Sequence, residues 1–170
     1  IIHLRRANAI LRHMKKYPRT LMYKAMICSR LLKAFSDCGV RADGEKGYSM
    51  RGANFLRAGL GKDGNKLYHL IDAQCRSHRR VTRSTFSSEL YAGCDATDDL
   101  KSHALALHEI ISGPTSKEQT MKMVDGGTLM FDTIVVIDAM SVFQAVTGLV
   151  VKEPAEKGLL PHLQYLREKL

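Results

Sequence analysis

Asp37, Glu89 and Asp138 stand where carboxylates could do chemistry. Asp37 closes an apolar strand pattern over 31–37. Asp138 follows a nearly unbroken apolar run over 129–137, and Glu89 falls in what reads as the first turn of a long helix. If strand 129–137 lies parallel to strand 31–37, both aspartates leave the sheet at one end, and the start of the intervening helix approaches that end too. Three convergent carboxylates repel one another unless a cation lies among them. An all-oxygen ligand set selects a hard ion, Mg²⁺ or Mn²⁺. Two such ions about 4 Å apart can activate a water and stabilise the leaving oxygen of a phosphodiester. Each acid alone reads as a solvated residue at the end of an element; the set, beside a basic segment, favours the metal reading. That segment is Arg76-Ser-His-Arg-Arg-Val-Thr-Arg83. Arg76, Arg79, Arg80 and Arg83 suit a row of phosphates, or else form a solvated basic arm.

The balance of charge agrees with a polyanionic partner. Lys and Arg number 26 against 17 Asp and Glu, a net charge of +9 over 170 residues. Nucleic acid is the first candidate. No apolar run approaches the roughly 20 residues of a membrane span, and no leader pattern opens the chain, so an intracellular protein with no membrane partner is expected. The first residue is Ile1, which suggests a processed product or a piece of a longer chain. At 45% hydrophobic residues the chain can build a packed core. The cysteines at 28, 38, 75 and 94 lack the short spacing of a zinc site and read as reduced, mostly buried thiols.

The elements that must position the acids follow from periodicity. Leu4, Ala7, Leu11 and Met14 share one face of a helix over 1–17, with arginines and lysines elsewhere, and Pro18 stops it. One or two short strands lie within 20–37. Strands over 48–58 and 66–75 flank Asp63-Gly64, a hairpin signal. Phe86, Leu90, Gly93, Thr97, Leu100, Ala104, Leu107 and Ile111 step by four and three, which predicts a helix over 84–112 capped by Ser84 or Thr85 and ended by Gly113-Pro114. Residues 114–128 read as a loop. The run 129–137 suits a strand buried on both faces and paired in parallel. Short helices follow over 140–146 and 162–170. The order predicts an α/β fold: a mixed sheet with helices packed against it.

Several of these residues resemble the ribonuclease H domain of copia-type LTR retrotransposon Pol polyproteins. The likeness lies in Phe35-Ser-Asp37, in Ser77-His-Arg-Arg-Val-Thr-Arg-Ser-Thr-Phe-Ser-Ser-Glu89-Leu-Tyr, and in Val135-Val-Ile-Asp138-Ala-Met-Ser. The glutamate motif is the most specific of the three. Leu4-Arg-Arg-Ala-Asn-Ala-Ile-Leu-Arg-His-Met-Lys-Lys16 looks like the helix joining the family's reverse transcriptase to its ribonuclease H. His162-Leu-Gln-Tyr-Leu-Arg-Glu168 resembles the family's helix ending in Arg-Glu. The likeness covers nearly the whole chain.

The resemblance implies a connecting helix over 1–19 and a ribonuclease H-like domain over 20–170. It implies strand order 3-2-1-4, with the family's fifth strand and last helix, which carries a fourth acid, missing after Leu170. Asp37, Glu89 and Asp138 would then be catalytic and would hold two Mg²⁺ or Mn²⁺ ions. The arginines at 76, 79, 80 and 83 would grip an RNA–DNA hybrid, whose RNA strand is cut. Two departures are evident: the chain has no Trp, which usually follows the first acid, and Lys157-Gly-Leu-Leu160 replaces a Lys-His-Ile-Asp run. These departures suit an alternative, an inactive, domesticated ribonuclease H-like domain that binds structured RNA as a structural subunit of a ribonucleoprotein such as a ribosome. A sheet that lacks its fifth strand leaves 129–137 as a bare edge, so a protein partner or a further segment is expected to cover it.

Overall fold

The computed structural model describes residues 20–40, 48–82, 84–149 and 156–169, with 9, 12, 13, 15–17 and 154; the side chains of 28, 40, 48 and 78–81 are also outside the description. The N-terminal helix expected over 1–17 falls mostly outside these residues, although Ala9, Arg12, His13, Lys15 and Lys16 are helical. The strands are β1 (Met26–Val40), β2 (Tyr48–Gly61), β3 (Lys66–Val81) and β4 (Asp132–Ile137). The helices are α1 (Thr85–Ser112), α2 (Lys117–Asp125), α3 (Met140–Thr147) and α4 (Leu160–Glu168), the last preceded by a 3₁₀ turn at Lys157–Leu159. The sheet order is β3-β2-β1-β4. β1 runs antiparallel to β2 and parallel to β4, and β2 runs antiparallel to β3. This is an α/β, ribonuclease H-like mixed sheet with the expected order 3-2-1-4.

The antiparallel ribbon is longer than the sequence pattern predicts. β1 starts at Met26 and runs past Asp37 to Val40, because Cys38, Gly39 and Val40 find ladder partners in Arg51, Met50 and Ser49. Asp37 therefore lies within β1 and does not end it. β3 likewise continues through Arg76, Arg79 and Arg80 to Val81, drawn on by β2 partners at Arg51, Met50 and Tyr48. Backbone pairing needs no apolar alternation, so such ends leave no mark in the sequence. The turn at Asp63-Gly64 forms as expected, with Gly64 at φ 77° and the Asn65 side chain donating to Asp63 Oδ2 at 2.7 Å.

Helix α1 has the expected span. Ser84 caps it, accepting from the Ser87 N–H, and the Ser87 hydroxyl returns to the Ser84 backbone. Glu89 falls in the second turn, not the first, because helical residues begin only at Thr85. Along the predicted stripe, Leu90, Gly93, Thr97, Leu100 and Ala104 are buried, but Ile111 is 53% exposed where the helix outruns the sheet. The stripe packs on one face of the sheet, with Leu32, Ala34, Phe55, Ala96, Leu100, Ala104 and Phe131 forming one core. A second core joins α1 to α3 and α4 through Leu90, Cys94, Val142, Val146, Leu159, Leu163 and Leu166. Arg167 ties those last helices together by donating to the carbonyls of Ala145, Val146 and Gly148, the last at 2.7 Å. β4 enters α3 directly after Asp138, so this second core fixes the third acid.

Three further expectations fail. The segment 114–128 is not a plain loop: α2 forms within it, started by a capping box between Ser116 and Gln119, and it buries no residue. Its polarity hid a helix held by its caps. The last strand begins at Asp132, not at 129, and it is not buried on both faces. Ile134 and Val136 are 44% and 38% exposed, because α1 covers only the opposite face, and among the described residues β4 pairs with β1 alone. The described thiols are not mostly buried either: Cys94 is buried, Cys38 half-buried and Cys75 exposed, while the side chain of Cys28 lies outside the description.

Close packing sets one constraint beside the site. A Cβ on Gly93 would lie 2.7 Å from Ile137 Cδ1 and 3.6 Å from Leu166 Cδ1. Overpacking typically costs about 1–3 kcal/mol, and better helix propensity offsets roughly 1 kcal/mol of that. Gly93→Ala is therefore expected to lower stability by about 1 kcal/mol in urea unfolding. A rise in stability would mean that Ile137 repacks freely.

Candidate metal centre

Asp37, Glu89 and Asp138 come from β1, α1 and the residue after β4, and the structure brings all three together. One carboxylate oxygen from each lies within 4.8 Å of the others. The register explains this. Ser36 is the partner of Ile137 in the parallel pair, so the next residues, Asp37 and Asp138, lie side by side. The α1 stripe then carries Glu89 over the same point.

The two aspartates are exposed and Glu89 is half-buried. Burial, the charge of Asp138 and then that of Asp37 push Glu89 from 4.5 up to about 7, against the opposing hydrogen bond from the Cys38 backbone N–H. Glu89 Oε2 is buried and has no hydrogen-bond partner among the described residues. A buried carboxylate oxygen without a donor, facing two more carboxylates, is electrostatically unfavourable as it stands. An all-oxygen donor set with an orphaned oxygen fits a hard divalent cation such as Mg²⁺ or Mn²⁺. Among the described residues no other group of three His, Cys, Asp or Glu side chains gathers in this way.

A cleft opens on the acids, lined by Phe35, Ser36, Asp37, Asn54, Val136 and Asp138. Ser36 Oγ is buried there and has no partner among the described residues. Comparison of the chain with family profiles, with curated proteins and with solved structures finds no match. The case for the centre thus rests on its geometry.

The predicted arginines divide. Arg76 is exposed on β3; Arg79 and Arg80 continue that strand, with side chains outside the description, and Arg83 lies outside the described residues. Cys75 pairs with Gly52, which pairs with Asp37. The basic stretch therefore starts level with the acids and runs beyond them. Sequence reasoning missed Arg51, whose guanidinium forms an ion pair with Asp95 and so ties β2 to α1. It also missed the role of Cys38, which the motif spacing does mark: it is the residue after the first acid. No helix among the described residues is long and apolar enough to cross a membrane.

Proposed function

We propose that this chain is a metal-dependent ribonuclease H-type endonuclease that cuts the RNA strand of RNA–DNA hybrids, as part of a retroelement Pol protein. The observation that carries this reading is the meeting of three carboxylates from separate elements within 4.8 Å, with one buried oxygen unpartnered. Asp37, Glu89 and Asp138 would hold two Mg²⁺ or Mn²⁺ ions, which when bound supply a water of lowered pKa and stabilise charge on the leaving oxygen. Asp37 and Asp138, being exposed, form the wall that a phosphodiester approaches. Glu89 backs them from the helix side, fixed by the Cys38 N–H. Arg76, with Arg79, Arg80 and Arg83 after it, would grip the phosphates leading away from the acids. Contacts of this kind make binding fall steeply with salt and carry little sequence preference. Among the described residues β4 pairs with β1 alone, which supports a second element of the reading, a strand from a protein partner or a further segment lying along its outer edge.

The test is a labelled RNA–DNA hybrid incubated with the chain in Mg²⁺, in Mn²⁺ and with chelator, beside Asp138→Asn. Metal-dependent cleavage should appear and fall at least about 100-fold in the variant, which loses a ligand but not its phosphate grip. Salt-sensitive binding with no cleavage under any metal would sink the enzyme reading. It would favour the alternative, a nucleic-acid-binding structural subunit of a ribonucleoprotein, with which the net charge of +9 is equally compatible.

A further inference from the structure

A second cleft lies between β4, α1, α3 and α4. Its volume is about 260 Å³, many times the roughly 10–15 Å³ that holds one water. Leu100 on α1, Val135 and Ile137 on β4, and Val142, Phe143 and Val146 on α3 line it with apolar groups. Thr133, Lys101 and Lys169 line both this cleft and an adjoining hollow, so the two lysines stand at its Thr133 end. Asp125, Asp132 and Glu168 line that hollow, yet among the described residues neither lysine forms an ion pair. The Lys101 ammonium lies instead over the Tyr165 ring, 5.4 Å from its centroid. Burial, and next the charge of Lys169, hold Lys101 below the usual lysine range. An anion between the two lysines relieves that repulsion.

The cleft borders the outer edge of β4, which among the described residues has no strand beside it. A strand added along that edge pairs with the outward backbone groups of β4 and carries every second side chain over the cleft. A small amphiphilic anion would fill the cleft and leave the edge unpaired. A second copy of this chain, also at +9, repels the first. We propose that the cleft beside β4 is the docking site of a polypeptide strand that lays alternate aliphatic side chains over Leu100, Val142 and Phe143 and sets carboxylates between Lys101 and Lys169. This gives a chemistry to the strand that the proposed function lays along β4, and it rests on that part of the reading alone; no metal and no cleavage enter it. Backbone pairing supplies the affinity, the aliphatic residues fix the register, and the carboxylates fix the orientation.

The experiment uses the full chain with chelator at low salt. The probes are labelled peptides of alternating valine and threonine, as long as β4, with two glutamates at the amino or the carboxyl end, and the same peptides with two lysines. One glutamate peptide should bind at least about tenfold more tightly than its lysine counterpart, and the preference should fade with salt. Bound peptide should slow hydrogen exchange at the β4 amides that do not bond to β1. Charge reversal by Lys101→Glu with Lys169→Glu should invert the preference. Phe143→Ala should weaken both kinds of peptide alike, since it removes an apolar wall and no charge. Failure of every peptide to bind, or equal binding of the glutamate and lysine forms, overturns the proposal. So does binding that leaves the β4 amides as fast as before, the result expected if the lysines hold an anionic chain such as RNA. Dimerisation of the free chain that protects the same amides overturns it in favour of a second copy. Outer β4 amides already slow in the free monomer refute the open edge itself, and metal-dependent cleavage is decided separately.

Discussion

Glu89→Gln is expected to make the metal-free domain more stable and to remove the metal-dependent cleavage proposed for it. The two effects have one cause. Glu89 is pushed from 4.5 to about 7 by burial and by Asp138 and Asp37. The folded chain therefore binds its proton more tightly than the unfolded chain does. Between these values stability falls as pH rises; it is fully present below about 4.5 and fully lost above about 7. The whole interval corresponds to about 3 kcal/mol, which water around a half-open site reduces to roughly 1–2 kcal/mol. In chelator, the melting temperature of the unaltered chain should drop by about 3–6 °C between pH 5 and pH 8. Glu89→Gln, with no charge to lose, should hold its melting temperature over that range and melt higher at pH 8. Added Mn²⁺ should reverse the order, stabilising the unaltered chain by mass action and leaving the variant unmoved. Cleavage by the variant should fall at least about 1000-fold, as expected when a metal ligand is lost. A variant less stable than the parent at pH 8 in chelator would mean that the three acids do not repel, and that Glu89 is a structural hydrogen-bonding group.

Phe55→Ala is expected to bring the largest loss of stability. Phe55 is 0% exposed on the sheet face that α1 covers, within the cluster of Leu32, Ala34, Ala96, Leu100, Ala104 and Phe131. Its ring meets the His103 ring edge-on, with centroids 4.7 Å apart and planes at 80°. The whole cluster lies between one helix and three strands, so little can move in to fill the space. Truncation of a buried Phe costs about 3–5 kcal/mol through lost transfer energy and a residual cavity. Against a total of about 5–15 kcal/mol for a domain, that is a large share. Urea unfolding should show a lower midpoint with an unchanged slope. Because α1 also carries Glu89, the Mn²⁺ binding proposed for the three acids should weaken in the same variant. A loss under about 1 kcal/mol would mean that the core collapses readily around the gap.

Much of the architecture was legible because it is local. The span of α1 follows from Ser84 as cap, from apolar steps of three and four, and from Gly113 as stop, all of them signals that neighbouring residues carry together. Asp63-Gly64 names its turn because few other pairs accept that backbone. The parallel pairing of β4 with β1 follows from an apolar run that must be reached by a crossover helix. Even the helix at Lys117–Asp125 had a local sign, Ser116 three residues before Gln119, masked by a polar surface.

Only the tertiary structure decided the rest. That β1 runs on to Val40 and β3 to Val81 depends on ladder partners in β2, which no property of Gly39 or Arg79 announces. That Ile134 and Val136 stay partly exposed depends on which face α1 covers, since apolar character says a side chain would gain from burial but not what is there to bury it. The sequence by itself determined that Asp37, Glu89 and Asp138 are acids attached to three elements able to meet. Their approach to within 4.8 Å and the orphaned oxygen of Glu89 came only from the register of β1 against β2 and β4 and the docking of α1. The physical reason is range: a cap or a turn is settled by torsions a few residues apart, whereas a carboxylate's charge state and partners are settled by whatever a distant strand places a few ångströms away.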